Sequence, residues 1–161
     1  MPRINLADVP VQTGSRYPPP FDEPCRNRAW QRLGDAAGLT QFGVNLLRLS
    51  PGTWSSQRHW HSHEDEFVYI LEGEVVLVTD QGEELLRTGD CAGFKAGVRN
   101  GHCLQNRSSQ DAKVLVAGSR PDEDHGEYPD IDLKFTANRP AGKDVFLHKD
   151  GSPYSTSATS A

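Results

Sequence analysis

The chain has 161 residues, the span of one domain, and its 35% hydrophobic and 24% charged residues with 15 glycines are those of a folded protein rather than a disordered one. Seventeen basic against twenty-two acidic residues leave a net charge of -5, too negative to neutralise nucleic-acid phosphates, so nucleic acid is not an expected partner. The longest apolar runs, 67–71 and 75–78, fall far short of the roughly 20 residues that cross a bilayer, and Asp8, Pro10 and Gln12 interrupt any secretion signal, so a cytoplasmic protein without membrane contact is expected.

Residues 1–38 read as an N-terminal arm with the first strands. Its run Tyr17-Pro18-Pro19-Pro20-Phe21 combines fixed φ angles with missing N–H groups, which favours an extended segment over a helix or a central strand. Cys25, the first of three cysteines, shares no CxxC spacing with Cys91 or Cys103, and an odd, widely spaced set is expected as free thiols. From 39 to 120 the texture changes to short β-rich runs at 39–49, 57–61, 67–71, 74–79, 83–87, 91–94, 102–106 and 113–117. Their joints carry turn chemistry: Ser50-Pro51-Gly52, Glu72-Gly73, Asp80-Gln81-Gly82, Thr88-Gly89-Asp90, Asn100-Gly101 and Ser108-Ser109. No window shows a 3.6-residue period, so a helix has room only near the ends. These runs predict a single all-β domain of antiparallel strands, a sandwich or small barrel with its core in 39–120. Residues 121–153 are expected to pack on it as a C-terminal extension. The small, polar residues 154–161 cannot offset their ordering entropy and are expected to be disordered.

Four of the six histidines, His59, His61, His63 and His102, fall in the central region, three of them in His59-Trp60-His61-Ser62-His63-Glu64-Asp65-Glu66. On a strand, residues two apart share a face, so His59 and His61 can offer two imidazoles to one ion, and Glu66 can return a carboxylate from the next strand. His102, just after the Asn100-Gly101 turn, is the central histidine left to complete the set. Two other layouts use the same residues. His59 and His63 could share a helix face, although the β-rich flanks oppose a helix, and His61, His63 and Glu66 could form a set with a shorter turn. A third possibility is that all are solvated polar groups at a strand end.

These residues resemble the first motif of the cupins: Gly52, six residues, His59-Trp60-His61, four residues, Glu66, six residues and Gly73, with one residue more than usual after the first glycine. The second motif is represented by Gly89, Lys95-Ala96-Gly97, His102 and Asn106. Lys95 stands where that motif carries proline and Asn100 where it carries histidine, while His102 keeps the spacing to Asn106. The resemblance implies an antiparallel double-stranded β-helix, the jelly-roll barrel of the cupins. It also implies one divalent transition metal, Zn, Fe, Mn, Ni or Co, held by His59, His61, Glu66 and His102.

Such a centre leaves positions open for a substrate, and one ligand charge against a divalent ion leaves the pocket positive, which favours a small anion. Lys95, Arg99 and Asn100, in the loop before His102, are candidate contacts for its carboxylate or phosphate. Cupins include isomerases, epimerases, lyases, dioxygenases and ligand-binding proteins. The expected function is a metal-dependent isomerase, epimerase or lyase acting on a sugar phosphate or hydroxy-acid. The alternatives are an Fe-dependent dioxygenase and a non-catalytic binding or sensing protein. Finally, if Glu66 points inward, alternation leaves Phe67, Tyr69 and Leu71 as an apolar row on the other face, and a homodimer burying that row is expected.

Overall fold

A computed structural model describes residues 3–154. The turn residues cut the described residues into twelve strands, all paired antiparallel: β1 (Val11–Thr13), β2 (Ala29–Arg32), β3 (Phe42–Leu49), β4 (Glu66–Glu72), β5 (Glu74–Thr79), β6 (Gly82–Arg87), β7 (Cys91–Phe94), β8 (Cys103–Gln105), β9 (Ala112–Ser119), β10 (Glu123–Tyr128), β11 (Leu133–Asn138) and β12 (Lys143–Leu147). They form a six-stranded sheet in the order β1-β2-β3-β9-β4-β7 and two three-stranded sheets, β6-β5-β8 and β10-β11-β12. A single helical turn, α1 (Leu33–Ala36), joins β2 to β3. No helix among the described residues is long and apolar enough to cross a membrane.

Alternation along the strands builds the core. In β4, Val68 and Ile70 are buried, and they meet Leu47 and Leu49 of β3 and Ala112 and Val114 of β9. Val75 and Leu77 of β5, Leu86 of β6 and Leu104 of β8 close this core from the smaller sheet, giving two sheets face to face with apolar side chains between them. The same alternation turns Phe67, Tyr69 and Leu71 outward, where they are 37–43% exposed. At the β4–β5 turn, Gly73 adopts a φ of 76°, and a Cβ there would stand 2.7 Å from the Asp111 carbonyl. Only glycine fits. Asn106, buried beside β8, donates to the carbonyls of Leu49 and Gln110, both at 2.7 Å, and so locks the 106–110 turn to the core.

The structure departs from the sequence reading in three places. Residues 57–61 form no strand of their own because their backbone bonds are divided between two sheets. His59 exchanges N–H···O bonds with His102 at 3.1 and 2.9 Å, whereas the amides of Trp60 and Ser62 bond the carbonyls of Glu127 and His125 in β10 at 3.3 and 2.8 Å. Residues 123–147, read only as an extension, form a complete three-stranded sheet. Its first strand buries Asp124, Gly126 and Tyr128 while exposing the residues between them, a period-two pattern written in a carboxylate, a glycine and a phenol rather than in aliphatic residues. Gly126 lets β10 approach, since a Cβ there would collide with the Trp60 carbonyl oxygen. Last, Tyr154 is ordered: its ring stacks on His148 with centroids 3.7 Å apart, and the rest of the segment expected to be disordered, 155–161, lies outside the described residues. The three cysteines are free, Cys25 and Cys103 buried and Cys91 exposed.

Candidate metal centre

His59 and His61 alternate on an extended segment and project to one side, beneath the roof made by β10–β12. Each ring is fixed at its Nδ1. That of His59 donates to the Gln57 carbonyl at 2.9 Å, and that of His61 donates to Asp124 Oδ2 at 2.6 Å. A neutral imidazole carries one N–H, so when both rings are neutral each presents an Nε2 lone pair, and these two atoms stand 3.0 Å apart. Two lone pairs hold that separation only with a proton or a cation between them. Glu66, at the start of β4, brings Oε2 to 3.7 Å from His61 Nε2. One ligand atom from each of His59, His61 and Glu66 lies within 4.8 Å of the others.

His102 stands beside this trio rather than within it. Its ring lies face to face with Phe94, centroids 3.6 Å apart, its Nε2 is 3.2 Å from Glu66 Oε2, and its Nδ1 is buried without a hydrogen-bond partner. His63 is exposed and turns its Nδ1 to Ser62 Oγ at 2.7 Å, so the layout through His61, His63 and Glu66 is not brought together. A second group with suitable spacing, His61, Glu64 and Asp124, has little left to give. Asp124 Oδ2 is taken by His61, and Oδ1 accepts from Ser62 Oγ and the His63 amide, both at 2.9 Å.

The electrostatics follow from burial and these partners. Burial, followed by the neighbouring charges of His61 and His102, pushes His59 down to about 3, so its ring is neutral and its lone pair available at neutral pH. Burial works against a proton on His61, but the Asp124 hydrogen bond and the charges of Glu66 and Glu64 outweigh it and raise its pKa. Glu66 is pulled down to about 2: burial opposes ionisation, and the hydrogen bond and charge of His102 with the other imidazoles overcome it. Glu64, by contrast, is raised to about 6 by burial. Two imidazole lone pairs, an ionised carboxylate and a third imidazole beside them are a donor set that suits a divalent first-row ion.

The centre opens into two adjoining cavities. One, of about 300 Å³, is lined by His59, Glu66 and His102 with Arg28, Trp30 and Tyr17. The other, of about 220 Å³, adds His61, Tyr128 and Phe135 on the roof side. Of the three residues expected to contact substrate, none lines either cavity. Lys95 and Asn100 border a separate pocket of about 210 Å³ that reaches His61 and His102 from the opposite side. The Asn100 side chain is occupied in the β5–β6 turn, accepting from the Asp80 amide at 2.9 Å and donating to Gln81 at 2.6 Å, and Arg99 lies over the Trp60 ring at 5.2 Å.

Sequence reasoning passed over Asp124, which fixes His61, and Tyr128, whose ring stacks on His59 with centroids 5.5 Å apart. It also passed over Tyr17 and Arg28 of the arm. The alternation of Asp124, Gly126 and Tyr128 was the available signal for the first two, but a motif counted only in aliphatic residues does not register it.

Comparison with known proteins places this architecture. The Cupin domain family matches residues 45–118. The chain is 44% identical to a cupin-superfamily sugar phosphate isomerase from Silicibacter pomeroyi whose crystal structure superposes with a TM-score of 0.91, over 96% of this chain and 98% of that one. A proposed sugar phosphate isomerase from Acidithiobacillus ferrooxidans is 29% identical with a TM-score of 0.71, over 80% of each chain. Among curated proteins, the tetracenomycin polyketide synthase protein TcmJ of Streptomyces glaucescens is 28% identical over 80 residues, 50% of this chain, and the chain spans about half the length of that relative. With its jelly-roll sheets, its histidine-glutamate motif and a full-length likeness of this degree, the chain belongs to the cupin superfamily.

Proposed function

We propose that this cupin is a metal-dependent enzyme of the isomerase, epimerase or lyase type acting on a small anionic substrate, a sugar phosphate or a hydroxy-acid. The observation that carries this reading is the convergence of the His59 and His61 Nε2 lone pairs, 3.0 Å apart, with ionised Glu66 beside open cavities. His59, His61 and Glu66 would hold one divalent ion, and His102 would join through Nε2 once that nitrogen releases Glu66. A bound ion of this kind supplies Lewis-acid polarisation of a substrate carbonyl or hydroxyl. Asp124 keeps His61 in the ligating tautomer, Gln57 does the same for His59, and Tyr128 and Phe135 keep bulk water from the ring faces. The names of the relatives from S. pomeroyi and A. ferrooxidans support the isomerase class.

The test is turnover of a panel of sugar phosphates and hydroxy-acids by protein reconstituted with Zn or Fe(II), with oxygen uptake recorded. Conversion that persists under anaerobic conditions with Zn is expected. Strict dependence on O2 would replace this reading with a dioxygenase, and tight ligand binding without conversion would replace it with a sensor. We also propose that the exposed row Phe67, Tyr69 and Leu71 is covered by a second copy of the chain. Light scattering should give the dimer mass, and Tyr69→Lys should return the monomer; a monomeric wild type rejects this part alone.

A further inference from the structure

Arg28 precedes β2 and is held from two sides. Its Nε donates to the Gly14 carbonyl at 2.9 Å and its Nη1 to the Ser55 carbonyl, while the guanidinium lies over the rings of Trp30 and Tyr17 at 5.1 and 5.8 Å. These contacts orient the group without neutralising it. The other arginines around the cavities are neutralised: Arg16 pairs with Asp144 at 3.1 Å, Arg32 with Asp35 at 3.7 Å and Arg139 with Glu64 at 2.7 Å. Arg28 has no carboxylate partner among the described residues. A half-buried cation without a counter-ion is costly, and proteins keep such groups where a ligand supplies the missing charge. Moreover, Arg28 lines both cavities that contain His59, and one N–H of Nη1 and both of Nη2 remain to face them.

We propose that Arg28 is the specificity-determining residue that binds an oxyanion of the ligand, a phosphate or a carboxylate, while the ligand's hydroxyl or carbonyl end lies at the His59–His61–Glu66 centre. The second half of this statement rests on the proposed function; the first does not. Two parallel N–H groups on a planar, permanently charged fork match either oxyanion, and the Trp30 and Tyr17 faces prevent the fork from swinging out to solvent.

The experiment uses the full chain stripped of metal with a chelator, with inorganic phosphate and malonate as probes at constant ionic strength. Binding is read by calorimetry and by intrinsic tryptophan fluorescence, to which Trp30 contributes beside Trp54 and Trp60, and metal uptake is measured separately on the same preparations. Wild type is expected to bind at least one probe at about the millimolar level, and Arg28→Gln to weaken it about tenfold or more, since a charge-assisted hydrogen bond is removed. Preference for phosphate supports a phosphorylated ligand, and preference for malonate a carboxylated one. Lys95→Gln is expected to bind as wild type does. Because Arg28 also tethers Gly14 and Ser55, Arg28→Lys serves as a second variant that keeps the charge: it should retain part of the affinity, whereas a purely structural role for Arg28 would leave probe affinity unchanged in any folded variant. Undiminished binding by folded Arg28→Gln, no binding of either probe by wild type, or loss of binding in Lys95→Gln alone overturns the proposal. Metal loss with phosphate binding intact would reject the proposed metal chemistry and leave Arg28 standing.

Discussion

The barrel wall and the roof of the site are built by different means. In the wall, position follows from aliphatic alternation: Val68 and Ile70 face Leu47, Leu49 and Val114, and this burial sets the backbone from which Glu66 projects. In the roof, the inward positions of β10 are Asp124, Gly126 and Tyr128, and each meets a specific group of the 59–61 segment: a histidine ring nitrogen, a backbone carbonyl and a histidine ring face. The wall thus supplies most of the apolar burial, and the roof, through Asp124, decides which nitrogen of His61 holds the proton. Apolar burial is additive and tolerant of exchange, whereas a buried carboxylate has value only against the group it was placed to meet.

The largest effect expected from this contrast lies where wall and roof meet. His59→Ala or His61→Ala should reduce bound metal from one equivalent per chain to a negligible level by elemental analysis; full occupancy in either variant would remove the centre altogether. A cavity in the wall comes next. Ile70→Ala should cost about 2–5 kcal/mol in urea unfolding, and Phe146→Ala, in the roof and only partly buried, should cost less. Equal costs would erase the division of labour. The roof's own contribution is sharper in Asp124→Asn, a change of nearly equal size that removes the charge holding the His61 Nδ1 proton. Metal affinity should fall about 10–100-fold by competition with a chromophoric chelator, with the melting temperature of the metal-free protein little changed. An unchanged affinity would demote Asp124 to a structural role.

The smallest effect concerns the seam between arm and roof, where the Tyr17 and Tyr128 rings meet edge to face with centroids 5.4 Å apart. Burial raises Tyr17 from its ordinary 10.0 to about 12. A group whose folded-state pKa is raised holds its proton more tightly in the native protein, so its stabilisation is complete below pH 10 and is lost as pH rises toward 12. Thermal melts should decline across that window, and Tyr17→Phe should decline less steeply; equal slopes would place Tyr17 in contact with solvent.

Much of the wall was legible in the sequence because its signals are local. Turn residues such as Gly73 and the two-residue period of 67–71 announce strands wherever they occur, and His59-Trp60-His61 with Glu66 marks out candidate ligands by spacing and by its likeness to the cupin motif. The spacing of His102 to Asn106 was equally plain, yet it did not disclose that the His102 ring stacks on Phe94 and turns its nitrogen to Glu66. The roof was hidden for a different reason. Asp124 meets His61 across 63 positions of chain, and Arg28 meets Ser55 across 27, so no window of sequence contains both members of either contact. By itself the sequence determined an all-β domain of antiparallel strands, because apolar periodicity is a property of short segments, and the resemblance of its motifs to those of the cupins added the jelly roll and the residues expected to ligate. Which nitrogens can bear lone pairs, which arginine lining the cavities is left without a counter-charge and which cavities they face were decided only by the tertiary structure, because each depends on partners that distant segments bring together and on burial that strengthens what they do.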